Sequence, residues 1–257
     1  MPDAEIARQI GKTATDRLGR KLSENRLMRR ARMMVSTLDL VAERGYDSVT
    51  VDQLAAAGGV SKKTIYDIYG SKQGLVAQAV ALRLDGLVRN FNEQLSGNGL
   101  DRLLLSVEMT CREVLRTPEL SRALAPILVK SAEEFHLNTF FETLHRDAIV
   151  RMKAENQIHP WVDIDFTARS MMLDQIAVQN MWAGGNIDDD SYPSFARLSA
   201  LRIMTPLTKA SVRKHLVEEI RQLQDKLSFT SEGTDAENET KSSVHAEPNT
   251  ARHEQVR

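Results

Sequence analysis

The sequence has little cysteine and few aromatic residues: Cys111 is its one cysteine, and aromatics make up 5% of the chain. A single cysteine excludes an intramolecular disulfide and fits a reducing compartment. Strands favour β-branched and aromatic side chains, so a chain rich in Leu, Ala and Met predicts a helical core. No apolar run reaches the roughly eighteen residues of a membrane span, and no signal-peptide pattern opens the chain. We therefore predict a cytoplasmic protein that makes no membrane contact.

The sequence also lacks a grouping of residues that would indicate catalysis or metal binding. Its six histidines are scattered, and no two are four residues apart, as a metal site on one helix requires. Cys111 has no cysteine neighbour with which to hold zinc. No glycine-rich phosphate loop follows a strand pattern. We predict that the protein is not an enzyme and has no catalytic residues, metal or cofactor.

Charge is unevenly distributed along the chain. The formal net charge is −1, but residues 1–72 hold 13 Lys and Arg against 9 Asp and Glu, a net charge of +4. The remaining residues hold 21 and 26, a net charge of −5. A basic front on an acidic body is expected when one end of a protein meets phosphate groups.

Periodicity and composition divide the chain into four parts. Residues 1–23 have little apolar periodicity and are interpreted as a mobile N-terminal arm. Helical patterns fill residues 24–95 and 100–227, and the loop that contains Ser96 to Gly99 separates them. Residues 228–257 are polar and are predicted to be a disordered tail. No alternating strand pattern of useful length is present, so the predicted fold class is all-α with two domains.

Local signals define the helices of the first domain. Thr50 and Gln53 form a capping-box pattern at the start of a short helix, and Gly59 follows it as a turn residue. Ser61 then caps a second short helix. A preceding longer helix, which Gly45 ends, has an apolar stripe of period 3.6. Its members are Leu27, Ala31, Met34, Leu38 and Val41.

Two short helices joined by a tight glycine turn form a helix-turn-helix, here at about residues 50–69. Leu54 and Ala55 of the first helix are predicted to point inwards, and Ile65 and Ile68 to anchor the second helix to the core. The outer face of the second helix would then carry the residues that a DNA major groove receives. These residues are Lys62, Lys63, Tyr66 and Asp67.

Residues 26–85 resemble the N-terminal domain of the TetR family of bacterial transcriptional regulators. The resemblance rests on Gly45-Tyr46, on 49–55, on 59–69 and on 71–75. It implies that Thr50 caps its helix and contacts phosphate, and that the residues after the turn approach bases and backbone. The DNA-binding residues that the resemblance implies are Thr50, Ser61, Lys62, Lys63, Thr64, Tyr66, Tyr69 and Lys72.

Two positions depart from the family pattern. Tyr69 stands where a buried Phe is commoner, so its hydroxyl is free to reach solvent or DNA. Gly58 stands where Ala is commoner, which is expected to loosen the end of its helix.

The resemblance further implies that the C-terminal domain binds a small-molecule effector and forms a homodimer. Dimerisation would use the last two long helices, predicted at 163–182 and 194–227, as a four-helix bundle. Methionine and aromatic side chains would give an adaptable apolar pocket wall, with a few polar groups to orient a ligand. Core packing is the alternative for each. The pocket candidates are Met109, Phe140, His145, Met171, Gln175 and Trp182.

These observations predict a homodimeric DNA-binding regulator: a repressor that a small-molecule effector releases from a double-stranded operator. A dimer would space its two recognition helices by about 34 Å, one turn of DNA. Two alternatives are a helical enzyme and a regulator that a protein partner controls in place of a ligand. A body without an internal cavity would favour the partner.

Overall fold

A computed structural model describes residues 23–130 and 137–243 of the 257-residue chain, and these residues form an all-helical fold. Only an isolated antiparallel bridge, between Ile158 and Thr208, has β-type pairing among them. The predicted fold class is confirmed. The elements are α1 (Glu24–Arg44), α2 (Val51–Gly58), α3 (Lys62–Tyr69), α4 (Lys72–Gln94), α5 (Gly99–Arg116), α6 (Pro118–Lys130), α7 (Leu137–Ala154), α8 (Ile164–Ala183), α9 (Tyr192–Met204), a 3₁₀ turn (Thr205–Leu207) and α10 (Ala210–Ser243).

The N-terminal helices pack around α1. Ala31, Met34 and Val41 of the predicted stripe are buried, as is Thr37 between them. Met33, one position round the helix, is only 2% exposed and packs into the core of α2 and α3. Because α1 buries residues on more than one side, it holds α2 and α3 in place against α4.

Met33 also accounts for Gly58. A Cβ atom at position 58 would lie 2.7 Å from Cγ of Met33, closer than two carbon atoms can approach. The methionine side chain therefore occupies the space that an alanine methyl group would take. The end of α2 is closed by α1 and is not loosened, which corrects the expectation from the sequence.

The C-terminal helices form a body with two apolar clusters. The first cluster joins α5, α7, α8, α9 and the start of α10. The second contains Val41 of α1 and Val76 and Val80 of α4, together with Phe140 of α7 and Met172 of α8. Apolar packing thus continues across the predicted boundary at residues 96–99, although the chain does form a loop there between α4 and α5.

The end of the chain differs from the prediction. The sequence predicts a helix over 194–227 that Pro206 interrupts, and the structure has two helices there, because Pro206 lies in the 3₁₀ turn that separates α9 from α10. Helix α10 then continues to Ser243, so residues 228–243 are helical and the predicted disorder is wrong there. A segment with few apolar residues gains little from packing. A helix that has already formed can nevertheless extend by each further residue at little cost in free energy. The rest of the tail, 244–257, and the arm over 1–22 lie outside the described residues.

Helix α8 has two apolar faces. Met171, Met172 and Trp182 are buried within the protomer. Phe166 and Leu173, by contrast, are 73% and 59% exposed. A broad apolar face on this helix is therefore left uncovered by the described residues of the same chain.

Gly99 permits a close approach between α5 and α7. A Cβ atom at this position would lie 2.4 Å from the backbone nitrogen of Met152 in α7 and 2.8 Å from its Cα atom. The Gly99 amide donates a 2.7 Å hydrogen bond to the carboxylate of Glu155. We predict that Gly99→Ala destabilises the protein by about 2 kcal/mol, because the added methyl group forces α5 away from backbone that cannot yield.

The measurement is denaturant unfolding, and Gly184→Ala is the matched control. Gly184 has φ −81°, and its nearest neighbour would be the side-chain oxygen of Asn186, at 3.2 Å. This control should change the unfolding free energy by less than about 1 kcal/mol, since an exposed side chain moves aside easily. Equal losses in the two variants would contradict the close approach.

Candidate nucleic-acid interface and apolar cavity

Hydroxyl caps begin each short helix of the helix-turn-helix. The Thr50 hydroxyl accepts from the Gln53 amide at 3.3 Å, and the Gln53 side chain accepts from the Thr50 amide at 2.8 Å, so the predicted capping box is present. Ser61 accepts from the Thr64 amide at 3.1 Å. Gly59 joins the two helices with φ +63°, a left-handed conformation that glycine adopts without a Cβ clash.

One apolar cluster fixes the angle between α2 and α3. Leu54 and Ile65 are fully buried, and Ala55 packs with them. Ile68, in contrast, is 46% exposed, so the prediction that it anchors α3 was wrong. Position 68 lies about 60° round the helix from Ile65 at 100° per residue, and the small domain has no core at that angle.

The candidate DNA contacts fall into two groups. Those in the outward group are exposed or half-buried and belong to the first turns of α2 and α3 or to their caps. Lys62 donates to the Asp52 carboxylate at 3.0 Å, which joins the starts of these two helices. The bond to Asp52 raises the pKa of Lys62 above its ordinary value. The outward group consists of Thr50, Ser61, Lys62, Lys63, Thr64 and Tyr66.

Tyr69 and Lys72 form the second group, because their polar atoms already have partners inside the domain. The Tyr69 hydroxyl accepts from Arg30 Nε of α1 at 3.4 Å, and burial raises the pKa of the phenol. Lys72 donates to the carbonyl oxygens of Tyr46 and Val49 at 2.9 and 3.0 Å. The Lys72 ammonium also lies 4.2 Å from the centre of the Tyr46 ring. Their DNA contacts remain predictions, whereas their structural role is to tie α3 and α4 to α1 and to the loop after it.

The six pocket candidates do not line one space. Met109 and Phe140 share the cluster that includes α4. Met171 and Trp182 lie in the other cluster, where the Trp182 ring stacks on Tyr192 with its centroid 5.3 Å away. A pocket lined by all of them stays a prediction, since these four residues pack in two different apolar clusters.

The remaining two candidates form a buried polar pair. His145 and Gln175 are 1% and 4% exposed, and their side-chain nitrogen and oxygen atoms have no hydrogen-bond partner among the described residues. Burial lowers the pKa of His145 to about 4. The ring is therefore neutral at pH 7, and the pair offers neutral donors and acceptors within an apolar surrounding.

A cavity of about 90 Å³ lies between α4, α5, α6, α7 and α8. Phe140 is the one pocket candidate in its wall, which is mainly apolar. Arg83 of α4 also lines it, and the same arginine lines a cleft of about 240 Å³ between α1, α4 and the α5–α6 junction. Sequence reasoning missed Arg83, because an arginine in an amphipathic helix is usually an ordinary surface charge.

Two further properties concern the described residues. None of their helices has the length and apolar character needed to cross a membrane. They also contain no group of three or more histidine, cysteine or acidic side chains placed to hold a metal ion.

Short capped helices on an all-helical body define a helix-turn-helix protein. Residues 34–79 match the sequence pattern of the bacterial regulatory proteins of the tetR family. An HTH-type transcriptional regulator of Mycobacterium bovis is 33% identical over 126 residues, which cover 48% of this chain and 59% of that protein. The chain is therefore similar to regulators of the TetR family over the region that holds its helix-turn-helix. Its matched part spans less than two thirds of this relative's length.

Two more comparisons extend the likeness. IcaR, the negative transcriptional regulator of the biofilm operon icaADBC in Staphylococcus epidermidis, is 25% identical over 118 residues, 44% of this chain and 64% of that protein. The crystal structure of a gamma-butyrolactone receptor covers 77% of this chain and 97% of its own, with 19% identity and a TM-score of 0.53. At that identity the second likeness concerns the fold alone.

Lysine substitutions separate the outward group from the structural one. Lys63 is exposed, so we expect Lys63→Ala to weaken binding to all DNA sequences alike without changing the melting temperature. The slope of log K against log salt concentration should fall by about one unit.

Lys72→Ala should instead lower the unfolding free energy by about 2 kcal/mol, because two carbonyl oxygens lose a charged donor. Thermal melts measure the stability of each variant, and salt titrations of DNA binding measure the slope. A flatter slope with an unchanged melt for Lys72→Ala would make it a phosphate contact, as the sequence predicted.

The buried His145 predicts a loss of stability in mild acid. Its pKa is lowered to about 4, so the unfolded chain takes up a proton below pH 6.5 that the folded chain does not. The contribution of His145 to the unfolding free energy is therefore present above pH 6.5 and is lost as the pH drops towards 4. Between pH 7 and pH 5 the loss from this residue is about 2 kcal/mol. His145→Leu should remove that part of the pH dependence in denaturant unfolding, whereas the exposed control His215→Leu should retain it. An unchanged pH dependence in His145→Leu would refute the assignment.

Proposed function

We propose that the protein is a homodimeric transcription regulator that binds operator DNA and represses transcription until a small-molecule effector releases it. The observation that carries the proposal is the outward face of α3. Lys62, Lys63 and Tyr66 are exposed around the buried Ile65, which fixes the helix to its domain. A rigid helix that presents basic and polar side chains at its start is suited to a major groove.

Hydroxyl groups and helix starts add phosphate contacts to this face. The Thr50 hydroxyl accepts the capping bond from Gln53, so its own O–H remains available as a donor. The first amides of α2 and α3 favour anions nearby. Asp52 lies beside Lys62 and would repel phosphate, so their ion pair must open or reorient when DNA binds. A bacterial regulator that binds DNA would act in the cytoplasm, which is the location we propose.

A dimer is proposed because one recognition helix reads one half-site. Leu173 and Met181 of α8 are exposed and eight residues apart, so they share a face with Phe166. Helix α9 packs beside α8, where Ser199 donates to Asp174 at 2.6 Å, and it adds the exposed Phe195. A second copy related by two-fold symmetry would cover both helices as a four-helix bundle.

Effector release is proposed from the position of the cavity. One wall of the cavity is α4, which also carries Lys72 and hence holds the loop before α2. A ligand that favours a different position of α4 would change the spacing of the two recognition helices. The description of a related fold as a gamma-butyrolactone receptor and of a relative as a negative regulator supports this direction. A partner-controlled regulator is less favoured, because the body does contain a cavity. The enzyme alternative has no supporting observation among the described residues.

The test joins DNA binding to dimer formation. Purified protein should select a reproducible set of genomic fragments with two-fold symmetric sites, and light scattering should give about twice the chain mass. Leu173→Glu places a charge on the exposed face of α8. It should yield monomers and weaken operator binding by about a hundredfold, because two linked half-site readers become independent.

Val150→Glu is the matched control, since Val150 is an exposed apolar residue on α7 and belongs to neither α8 nor α9. It should leave both mass and affinity unchanged. Failure to enrich any fragment would refute the DNA-binding function. A monomeric Leu173→Glu variant with full operator affinity would refute the arrangement of the dimer.

A further inference from the structure

Arg83 is the charged group that joins the apolar cavity to the α5–α6 junction. Its Nη2 atom donates to the Glu113 carboxylate at 2.5 Å and to the Thr117 hydroxyl at 3.0 Å. The Arg83 and Glu113 side chains are 26% and 14% exposed, and burial lowers the pKa of the guanidinium. Partial removal from water makes any change of partner at this arginine energetically large.

Glu113 does not depend on Arg83 alone. The same carboxylate oxygen accepts from Arg116 at 2.7 Å, and Arg116 lies towards solvent with 66% of its side chain exposed. If Arg83 moves to another anion, Glu113 keeps a charged partner, so no carboxylate is left buried and unpaired. Two arginines on one glutamate also leave one positive charge uncompensated within this group of three.

The cavity beside Arg83 has a mainly apolar wall. The members of its wall that surround the apolar space are Val80, Leu84, Leu87, Phe91, Leu124 and Phe140. Arg83 and Glu113 are the two ionisable side chains among the residues that line it. On the opposite side, the cleft adds Asp39, Glu119 and Arg116, so its charges are mixed. An amphipathic anion is favoured from the cavity side, because the mainly apolar wall there can take up the rest of the molecule.

We infer that the effector is an amphipathic carboxylate, whose apolar part fills the cavity while its carboxylate takes Arg83 from Glu113. This inference rests on the proposed function, and it names the chemical class of the ligand. A guanidinium presents five N–H donors in a planar fork that matches the two oxygens of a carboxylate. Only the N–H donors on Nη2 of Arg83 have hydrogen-bond partners among the described residues.

The exchange also reaches the DNA-binding end. Arg83 and Lys72 belong to the same helix, eleven residues and about 16 Å apart along its axis. A ligand that draws Arg83 away from α5 releases α4 from the body at one end. At the other end Lys72 still holds the carbonyl oxygens of Tyr46 and Val49, so the helix-turn-helix follows α4.

Calorimetric titration of the full chain tests the ligand class with matched eight-carbon probes: octanoate, 1-octanol, octylamine and octyl phosphate. Wild-type protein should bind octanoate about tenfold or more tightly than 1-octanol, as a charge-assisted hydrogen bond contributes. Octylamine should bind more weakly than the alcohol. Equal affinity for octanoate and octanol, no binding of either, or a preference for octyl phosphate would overturn the proposal.

Substitutions of Arg83 and Glu113 test whether this pair determines the preference for octanoate. Arg83→Met should reduce octanoate affinity to that of octanol and leave octanol affinity unchanged. Arg112→Met is the control, because Arg112 is 66% exposed on α5 and pairs with Glu108. Glu113→Gln removes the competing charge and should tighten octanoate binding severalfold, a gain that a destabilised protein would not give. Retained preference in Arg83→Met, or no gain in Glu113→Gln, would overturn the role of Arg83.

DNA binding is measured separately, by fluorescence anisotropy with and without octanoate. Octanoate binding without any DNA binding would refute the proposed function and leave the ligand assignment intact. DNA binding that octanol and octanoate disturb equally would refute the ligand assignment alone.

Discussion

The fold depends on a helix that is buried on nearly every side at its start. Leu75 of α4 packs under the helix-turn-helix, Ala79 packs against α1, and Val76 and Val80 pack into the body. These residues span little more than one turn, so they point in different directions round the axis. A helix enclosed in this way cannot rotate without disturbing several cores at once, and it links the position of α3 to the packing of the body.

Local chemistry made the helix starts predictable. Thr50 with Gln53, and Ser61 before Lys62, satisfy orphan backbone amides through atoms within three residues, and neither depends on the rest of the fold. The helical class followed in the same way from composition and spacing. The helical end of the chain was not predictable in this way. The low apolar content over 228–243 predicts disorder, but apolar content bears on packing more than on helix formation.

Tertiary neighbours decided what the sequence could not. Ile68 repeats the pattern of Ile65 three residues earlier, but only Ile65 has a core beneath it. Lys72 is indistinguishable in sequence from a phosphate contact until the Tyr46 and Val49 carbonyls are found beside it. Arg83 acquires its significance from Glu113, thirty residues later, and from a cavity that five helices line. Long-range placement of this kind leaves no local signature.

The two tryptophans of the chain occupy opposite environments. Trp182 is 1% exposed, stacks on Tyr192 and lies under the Arg122 guanidinium, 4.5 Å from the ring centre. Trp161 is 68% exposed and lines a groove with Phe166, at the edge of the uncovered face of α8. Indole fluorescence responds to water contact, so one emission spectrum combines a signal from the interior of the body with one from the surface where we propose that a second copy packs. Replacing either tryptophan with phenylalanine would separate folding from assembly in one optical measurement, without an added dye.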